Sequence, residues 1–232
     1  MANEREKENA AIAAIEFVED GMTIGLGTGS TAKFFVEHLA DEIADGLMVK
    51  GVPTSEDTRR LAESLGVPLL PIEHVDRIHL TVDGADEVDG NAQLIKGGGA
   101  ALLREKIIAN ASDLMVVIAD PSKQVEMLGQ FPLPVEVTPF GYTITAKKVY
   151  DALKASGVAK PRIDVRTGGG NKPIVTDGGN YILDCHCSVI PDAPKAASFL
   201  AAVPGVVEHG LFIGIARTVI IGQEDGASVF EY

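Results

Sequence analysis

The chain reads MTIGLGTGSTA at residues 22–32, where a short apolar segment runs into a glycine-rich turn. A helix-like pattern of apolar residues begins near Ala32. Glycines let the backbone turn tightly and approach a ligand closely, and the first N–H groups of the following helix point into the turn with partial positive charge. This stretch therefore predicts a strand, a turn that binds a phosphate or carboxylate, and a helix.

The same turn has two other interpretations. Read from Gly27, it matches G-x-G-x-x-A, a weak dinucleotide fingerprint that also requires an acidic residue at the end of the next strand. The next apolar segment ends in GVPT at residues 51–54, without such a residue. The missing acid favours a small anion over a dinucleotide, and a plain tight turn is the remaining alternative.

The composition of the chain favours an α/β protein. Its 232 residues are 46% hydrophobic but only 5% aromatic, so the core must consist mainly of alanine, valine, isoleucine and leucine. The formal net charge of -13 repels nucleic acid and anionic membranes, so we expect neither as a partner. Any phosphate site must then be a local positive spot made by N–H groups and a few lysines.

The sequence also predicts a cytoplasmic protein. No segment approaches the about 20 apolar residues of a membrane span. Residues 1–8 are charged and lack the apolar core of a signal peptide.

The order of the patterns predicts two domains. Helix and strand patterns alternate from Glu4 to Asp120, which indicates a doubly wound, mostly parallel sheet of Rossmann-like type. After the proline-marked stretch FPLP at 131–134, short strands and glycine-rich turns indicate a smaller α+β domain. We expect a doubly wound catalytic domain of residues 1–130 plus 207–232, and a small domain of residues 131–206.

Some local elements can be predicted as well. Residues 54–57, TSED, resemble a helix capping box, because a hydroxyl precedes an acid by three positions. Pro173–Thr176 resembles a strand of the small domain, after a glycine-rich turn at 168–171. Val206–Glu208 and Val219–Ile221 are candidates to return to the first sheet.

An acidic cluster follows the apolar strand that ends at Val82. Residues 83–89, DGADEVD, hold four carboxylates in seven positions. Crowded carboxylates suit proton transfer, and Asp83 lies where the side chain after a parallel strand faces a ligand. The alternative is a solvated acidic turn with helix-capping aspartates, and the sequence leaves both interpretations open.

A triple glycine precedes the next predicted helix, in KGGGA at residues 96–100. The glycines let the backbone close around a ligand, and Lys96 could place a positive charge on a developing oxyanion. Glu105 shares a helical stripe with Ala101 and Ala109, which leaves room for a ligand against its carboxylate. The alternative for Glu105 is a surface ion pair.

Two lysines and two cysteines complete the candidate residues. Lys123 follows the apolar strand that ends at Ala119, whereas Lys7 taken alone reads as a solvated surface lysine. Cys185 and Cys187 form a lone C-x-C, which favours structural thiols over a metal site because closed zinc sites need four ligands.

Together these stretches resemble the type A ribose-5-phosphate isomerases. The resemblance covers essentially the whole chain in order and spacing. It rests on GTGSTA at 27–32, DGADE at 83–87, KGGGAA at 96–101 and REK at 104–106. Each motif is modest alone, but their occurrence in this one order is specific.

The resemblance implies an aldose–ketose isomerase that interconverts D-ribose 5-phosphate and D-ribulose 5-phosphate through an enediol, in the non-oxidative branch of the pentose phosphate pathway. It implies neither a metal nor an organic cofactor, a sugar phosphate as the small-molecule partner, and a homodimer or homotetramer. Glu105 is implied as the base that moves a proton between C2 and C1. Asp83 and Asp86 are implied to handle the sugar hydroxyls and ring opening, and Lys96 to support the oxyanion.

The resemblance also implies a substrate-binding set drawn from the three loops and the two lysines. Its members are Thr28, Gly29, Ser30, Thr31, Asp83, Gly84, Ala85, Asp86, Lys96, Gly97, Gly98, Gly99, Lys123 and Lys7. One departure is Leu103, which stands where the family pattern has a threonine and bears on local packing more than on activity.

Other functions stay open at this point. A related scaffold could serve an amino-sugar-phosphate isomerase or a CoA transferase, the latter with a carboxylate nucleophile. A non-enzymatic sugar-phosphate sensor normally has an output domain such as a basic helix-turn-helix, against which the acidic charge argues.

Overall fold

The computed structural model describes residues 4–170 and 172–232 of the chain. Residues 1–3 of the predicted first domain and Asn171 of the predicted turn at 168–171 lie outside the described residues. Within the described residues, no helix has the length and apolar character needed to cross a membrane.

The secondary structure alternates helices and strands over the first half of the chain. The helices are α1 (Glu4–Ile15), α2 (Ser30–Ala44), α3 (Glu56–Ser64), α4 (Leu102–Asn110), α5 (Tyr142–Ser156) and α6 (Ala193–Ala201). The strands are β1 (Thr23–Leu26), β2 (Lys50–Pro53), β3 (Ile78–Gly84), β4 (Glu87–Val88), β5 (Leu94–Ile95), β6 (Ser112–Ala119), β7 (Leu133–Val137), β8 (Arg162–Val165), β9 (Tyr181–His186), β10 (Val206–His209), β11 (Leu211–Phe212), β12 (Thr218–Gln223) and β13 (Gly226–Glu231). Short 3-10 turns lie at Ile72–His74 and Pro121–Lys123.

The chain divides into two compact units, each made of separate chain segments. The first unit contains the described part of Met1–Ala85, together with Arg104–Gln124 and Gly214–Tyr232. The second unit contains Asp86–Leu103 and Val125–Ile213.

A six-stranded sheet, in the order β13-β12-β6-β3-β1-β2, forms the centre of the first unit. Within this sheet the neighbouring strands β12, β6, β3, β1 and β2 pair in parallel, and the edge strand β13 pairs antiparallel with β12. The central strands are buried without polar alternation, as expected for parallel strands covered on both faces.

Helices cover both faces of this sheet. Alanines of α1 and the side chains of Phe35, Val36 and Leu39 in α2 pack with Ile24 and the other residues of one face. Ile108 of α4 packs on the opposite face, with Val52 and Ile78. Burial of these apolar side chains is the main source of stability for such a layered unit, at about 25 cal/mol per Å² of apolar surface.

The second unit has antiparallel sheets. Its larger sheet, in the order β10-β7-β9-β8, packs through Leu133, Val135 and Leu183 against Val149 and Leu153 of α5. A small sheet joins β11, β5 and β4. An α/β fold with a mostly parallel sheet and a separate antiparallel sheet confirms the predicted fold class.

Three local predictions were wrong. Val206–Glu208 does not return to the first sheet, because Gly205, at a positive φ of 95°, turns the chain back so that β10 pairs with β7. Val219–Ile221 does return, within β12. Pro173–Thr176 forms only an isolated bridge, Thr167 with Pro173, where proline cannot donate to a ladder.

The third wrong prediction is the residue that caps the N-terminus of α3. The cap hydroxyl is Ser55, which accepts the Thr58 N–H at 3.1 Å, so α3 starts one residue later than the TSED pattern indicates. The compact units also differ from the predicted boundaries at 130/131 and 206/207, because β4 and β5 pair with each other and with β11 in the second unit. The division into functional domains itself stays a prediction.

The contact of α1 with β12 predicts a strong effect of a single methyl group. A Cβ at Gly222 would overlap the carbonyl oxygen of Glu6 and lie 2.8 Å from the Ala10 nitrogen. We expect Gly222→Ala to lower the free energy of unfolding by about 1–3 kcal/mol, because backbone atoms must shift. Gly90→Ala is the matched control, since its Cβ would meet nothing within 4 Å. Urea unfolding of both variants measures the difference, and equal stability would contradict the described packing.

Candidate functional site

The parallel strands of the first unit all end at one edge of the sheet, which we name the carboxyl edge. It comprises the strand ends at Leu26, Pro53, Gly84, Ala119 and Gln223. Ligands of doubly wound sheets bind outside this edge, so we expect a ligand site among the loops that leave it.

Asp83 and the glycine-rich turn form one connected piece at the carboxyl edge. Asp83 is fully buried, and its Oδ1 accepts the Thr28 N–H at 3.1 Å and the Gly84 N–H at 2.7 Å. A Cβ at Gly27 would lie 2.5 Å from Asp83 Cα, so only glycine allows this close approach. The acid therefore holds the turn after β1 against the end of β3.

A cluster of hydroxyl groups contacts the same turn and supports it. Thr28 Oγ1 lies 2.7 Å from Thr54 Oγ1, 2.8 Å from Ser55 Oγ and 3.0 Å from Thr58 Oγ1. The Thr58 hydroxyl donates to the Gly27 carbonyl at 2.9 Å. Sequence reasoning missed Thr54 and Thr58 as loop supports, although the run of hydroxyl residues at 54–58 was a usable signal.

The start of α2 presents N–H groups at this turn. Gly29 precedes the helix at φ 119°, and no side chain caps it. The first N–H groups of a helix have no partner within the helix, and here they belong to Ser30, Thr31 and Ala32. Uncapped N–H groups with partial positive charge are suited to an anion, and the anion site at this turn stays a prediction.

Glu105 lies at about the level of Asp83 along the sheet. Ile108 of α4 packs against Gly25 of β1, since a Cβ added at Gly25 would lie 2.6 Å from the Ile108 side chain. Glu105 is three residues earlier on the same helix face, about 4.5 Å nearer the carboxyl edge. Thr81 of β3 is the partner of Gly25, and Asp83 lies two residues further along β3. This places Asp83 about 6.6 Å nearer the carboxyl edge than Gly25. Because Glu105 is only 3% exposed, it is no surface ion-pair residue.

An ion-pair network fixes the first turn of α4 beside Glu105. Arg104 Nη1 donates to Glu56 Oε1 at 3.0 Å, and Arg59 Nε donates to Glu56 Oε2 at 2.7 Å. The pKa of Glu56 lies below its usual value because of the hydrogen bond from Arg59 and then that from Arg104. The helix that carries Glu105 is thereby tied to α3.

Lys7 and Lys123 both lie at the carboxyl edge. Residues of the first turns of α1 contact the end of β12, where Asn9 Nδ2 donates to the Gln223 carbonyl at 2.7 Å. Lys7 lies two residues earlier, with Nζ 2.7 Å from Glu4 Oε1. Lys123 ends the 3-10 turn that leaves β6. The fold thus gives Lys7 a place that its sequence position alone did not indicate.

In the second unit, Asp86 and the triple glycine are joined. Gly98 donates its N–H to Asp86 Oδ2 at 2.7 Å, and a Cβ at Gly98 would lie 2.6 Å from Asp86 Oδ1. Lys96 is 2% exposed, with Nζ 5.6 Å from the Phe212 ring centroid. These residues form a compact group with a buried cation, a carboxylate and a glycine backbone.

The other carboxylates of residues 83–89 are structural. Glu87 is 3% exposed and accepts the N–H groups of Gly129 and Phe131, at 2.7 and 2.5 Å. Asp89 accepts the N–H groups of Asn91 and Gln93, as a turn-forming aspartate does. The alternative of a turn-forming aspartate therefore holds for Asp89, whereas proton transfer by Asp83 and Asp86 stays a prediction.

The structure places the expected site residues in two groups. The first unit holds Thr28, Gly29, Ser30, Thr31, Asp83, Gly84, Ala85, Glu105, Lys123 and Lys7. The second unit holds Asp86, Lys96, Gly97, Gly98 and Gly99. Among the described residues, no group of three or more histidine, cysteine, aspartate or glutamate side chains could hold a metal ion.

Comparisons with known proteins agree on one family. A family model described as Ribose 5-phosphate isomerase A (phosphoriboisomerase A) matches residues 50–226. A curated relative from Maricaulis maris (strain MCS10), named Ribose-5-phosphate isomerase A, is 58% identical over 228 residues, which cover 98% of each chain.

Solved structures are similar over the full length of the chain. A D-ribose-5-phosphate isomerase in complex with phospho-erythronic acid is 38% identical, with a TM-score of 0.92 and 100% of both chains covered. A ribose 5-phosphate isomerase A from Methanocaldococcus jannaschii is 37% identical, with a TM-score of 0.91 and the same coverage.

The burial of the two cysteines predicts that their thiols are inert. Burial raises the pKa of Cys185 well above its usual value and that of Cys187 to about 12, with Glu87 adding to the latter. Since only the thiolate reacts, we expect iodoacetamide at pH 8 to label the native protein more than about 10³-fold more slowly than the urea-unfolded protein. Mass spectrometry gives both rates, and equal rates would show that the thiols are accessible.

Proposed function

The chain belongs to the ribose 5-phosphate isomerase A family, and from this premise we propose that it interconverts D-ribose 5-phosphate and D-ribulose 5-phosphate through an enediol, with Glu105 as the base. As a member of this family, it is an isomerase. The burial of Glu105 at the level of Asp83 and the glycine-rich turn is the observation that carries its assignment.

The first requirement of the reaction is a tether for the phosphate. The uncapped N–H groups at the start of α2, with Lys123 and Lys7 at the same edge, supply partial and full positive charge there. Energy from binding a non-reacting phosphate can align the reacting carbons, because it fixes the sugar before the proton moves.

The second requirement is the transfer of a proton between neighbouring carbons. In the open-chain aldose, Glu105 takes the proton from C2, and the C2–H electron pair forms the C1=C2 double bond while the carbonyl pair moves to O1. Glu105 then returns the proton to C1, and the proton of O2 is transferred to O1 as the C2 carbonyl forms, so that O1 becomes the C1 hydroxyl. A single carboxylate performs both steps if the enediolate oxygen is stabilised.

The third requirement is control of the oxygen protons and charge. We assign ring opening and the hydroxyl protons to Asp83 and Asp86, which are acceptors fixed by backbone N–H groups. Lys96 and the glycine loop Gly97–Gly99 are assigned to support of the developing oxyanion. A relative was solved in complex with phospho-erythronic acid, and a phosphate together with a planar carboxylate is the chemistry expected of a mimic of the proposed enediolate.

The proposed activity predicts turnover without added metal. Purified protein should convert ribose 5-phosphate to the ketose equally well with and without EDTA. In D2O, the ribulose 5-phosphate formed should carry solvent deuterium at C1, because a carboxylate base exchanges its proton with solvent during part of the turnovers. Absence of turnover would reject the isomerase and leave a sensor. Turnover without any deuterium would reject the enediol in favour of a hydride shift.

The role of Glu105 predicts a selective loss of rate. We expect Glu105→Gln to lower kcat by about 10²- to 10⁴-fold, the usual contribution of a general base, while the Kd of phospho-erythronic acid changes little. Glu42→Gln is the matched control, since Glu42 is an exposed glutamate of α2. Steady-state kinetics and calorimetry separate the two effects. Normal turnover by the Glu105 variant would assign the base elsewhere, and a thioester trapped on Glu105 with CoA substrates would indicate a CoA transferase.

A further inference from the structure

We propose that Arg166, oriented by Asp184, is a positioning residue that holds the glycine loop Gly97–Gly99 in the shape that stabilises the enediolate. This proposal rests on the proposed isomerase activity. Neither residue belongs to the motifs that carry the family resemblance, and neither would touch the substrate itself.

Backbone hydrogen bonds hold Arg166 on both sides of the chain. Arg166 follows β8, and its N–H donates to the Ile182 carbonyl of β9 at 2.8 Å. Its carbonyl accepts the Ile174 N–H at 3.0 Å. The arginine side chain therefore projects from backbone that is hydrogen-bonded on both sides, and its exposed fraction is 16%.

All three nitrogens of the guanidinium group are engaged. Arg166 Nε and Nη2 donate to the two carboxylate oxygens of Asp184, at 3.0 and 2.5 Å. Its Nη1 donates to the Gly97 carbonyl at 2.8 Å and to the Gly98 carbonyl at 3.0 Å. A two-bond fork with a carboxylate fixes the plane of the guanidinium, so Asp184 determines where Nη1 points.

Peptide geometry converts this contact into an orientation of N–H groups. The C=O and N–H of a trans peptide point in opposite directions. The peptide between Gly97 and Gly98 directs its oxygen to Arg166 and its N–H to Asp86 Oδ2, at 2.7 Å. The next peptide also directs its oxygen to Arg166, so the Gly99 N–H points away from the guanidinium. The exposed Gly99 N–H makes no hydrogen bond within residues 4–170 and 172–232.

The loop leads into one residue with a rarely adopted backbone conformation, and the arginine contact supports the turn before it. Gly97 has a φ of 105°, and Ala100 has a φ of 60°, which non-glycine residues rarely adopt. The Ala100 N–H donates to the Gly97 carbonyl at 3.0 Å, so this tight turn and the arginine share one acceptor. Removing the arginine would leave the turn free to relax toward other conformations.

The contact also changes the strength of the donor. A cation hydrogen-bonded to a carbonyl polarises the whole peptide, so its N–H becomes a stronger donor on the opposite side. A pre-oriented, polarised N–H stabilises an oxyanion more than a neutral ground-state oxygen. Arg166 should therefore influence kcat much more than KM, which distinguishes it from a residue that binds the phosphate.

The experiment compares substitutions of this pair with a matched arginine on β8, the strand that Arg166 follows. We expect Arg166→Met and Asp184→Asn to lower kcat about 10- to 100-fold, below the loss caused by removing an oxyanion donor outright, with KM changed less than about 3-fold. The Kd of phospho-erythronic acid should rise in parallel with the loss in kcat, whereas inhibition by inorganic phosphate should not change. Arg162→Met is the control, because Arg162 pairs with Asp164 at 3.1 Å on the exposed side of β8.

Chemical rescue of the Arg166→Ala variant and the folding of all variants separate a positioning role from a folding role. Added guanidinium ion at millimolar concentration should restore part of the kcat of an Arg166→Ala variant and leave Arg162→Ala unaffected. Arg166→Lys should be only partly active, since an ammonium cannot form the fork with Asp184 while bridging two carbonyls. Folded variants with normal kcat, or a phosphate affinity that falls with kcat, would overturn the proposal. So would failure of all the Arg166 and Asp184 variants to fold, which would make the pair a folding element. Absence of wild-type turnover would instead refute the proposed function.

Discussion

The buried carboxylate of Asp83 is the constraint on which the functional edge of the first unit depends. One oxygen accepts the N–H groups of Thr28 and Gly84, which joins the turn after β1 to the end of β3. Burying a charge is costly unless hydrogen bonds satisfy it, so the turn cannot leave this position without exposing or stranding the acid. The glycine at position 27 follows from the same constraint, because any side chain there would occupy the space of Asp83.

In the second unit, charged side chains also hold loops in place through hydrogen bonds to backbone atoms. Glu87 accepts two backbone N–H groups of the chain at 129–131, and Arg166 donates to two backbone carbonyls of the glycine loop. Charge-assisted hydrogen bonds to backbone atoms are stronger than neutral ones, and they specify the direction of a peptide as well as its location. Loops without regular secondary structure thereby acquire a fixed shape.

The fold could be predicted from sequence to the extent that it depends on local pattern. Apolar runs such as β6 and glycine-rich turns at strand ends predicted the doubly wound sheet, and the motif order predicted the family. Pairing of β10 with β7 could not be predicted, because it depends on a turn at Gly205 and on contacts distant in sequence. The roles of Thr58 and Arg166 were missed for the same reason, since each acts on a loop more than 30 residues away. The homodimer or homotetramer, the cytoplasmic location and the site roles stay predictions.

The net charge of -13 sets how a protein of this composition can hold an anionic sugar. At physiological ionic strength the Debye length is about 8 Å, so distant surface carboxylates affect the approach of the sugar phosphate more than its bound state. The bound state depends on groups within hydrogen-bond distance, and backbone N–H groups attract an anion without adding formal charge. Orienting such groups by buried acids and by Arg166 is therefore a consistent solution: the carboxylates that make the chain acidic also hold the donors that its proposed substrate requires.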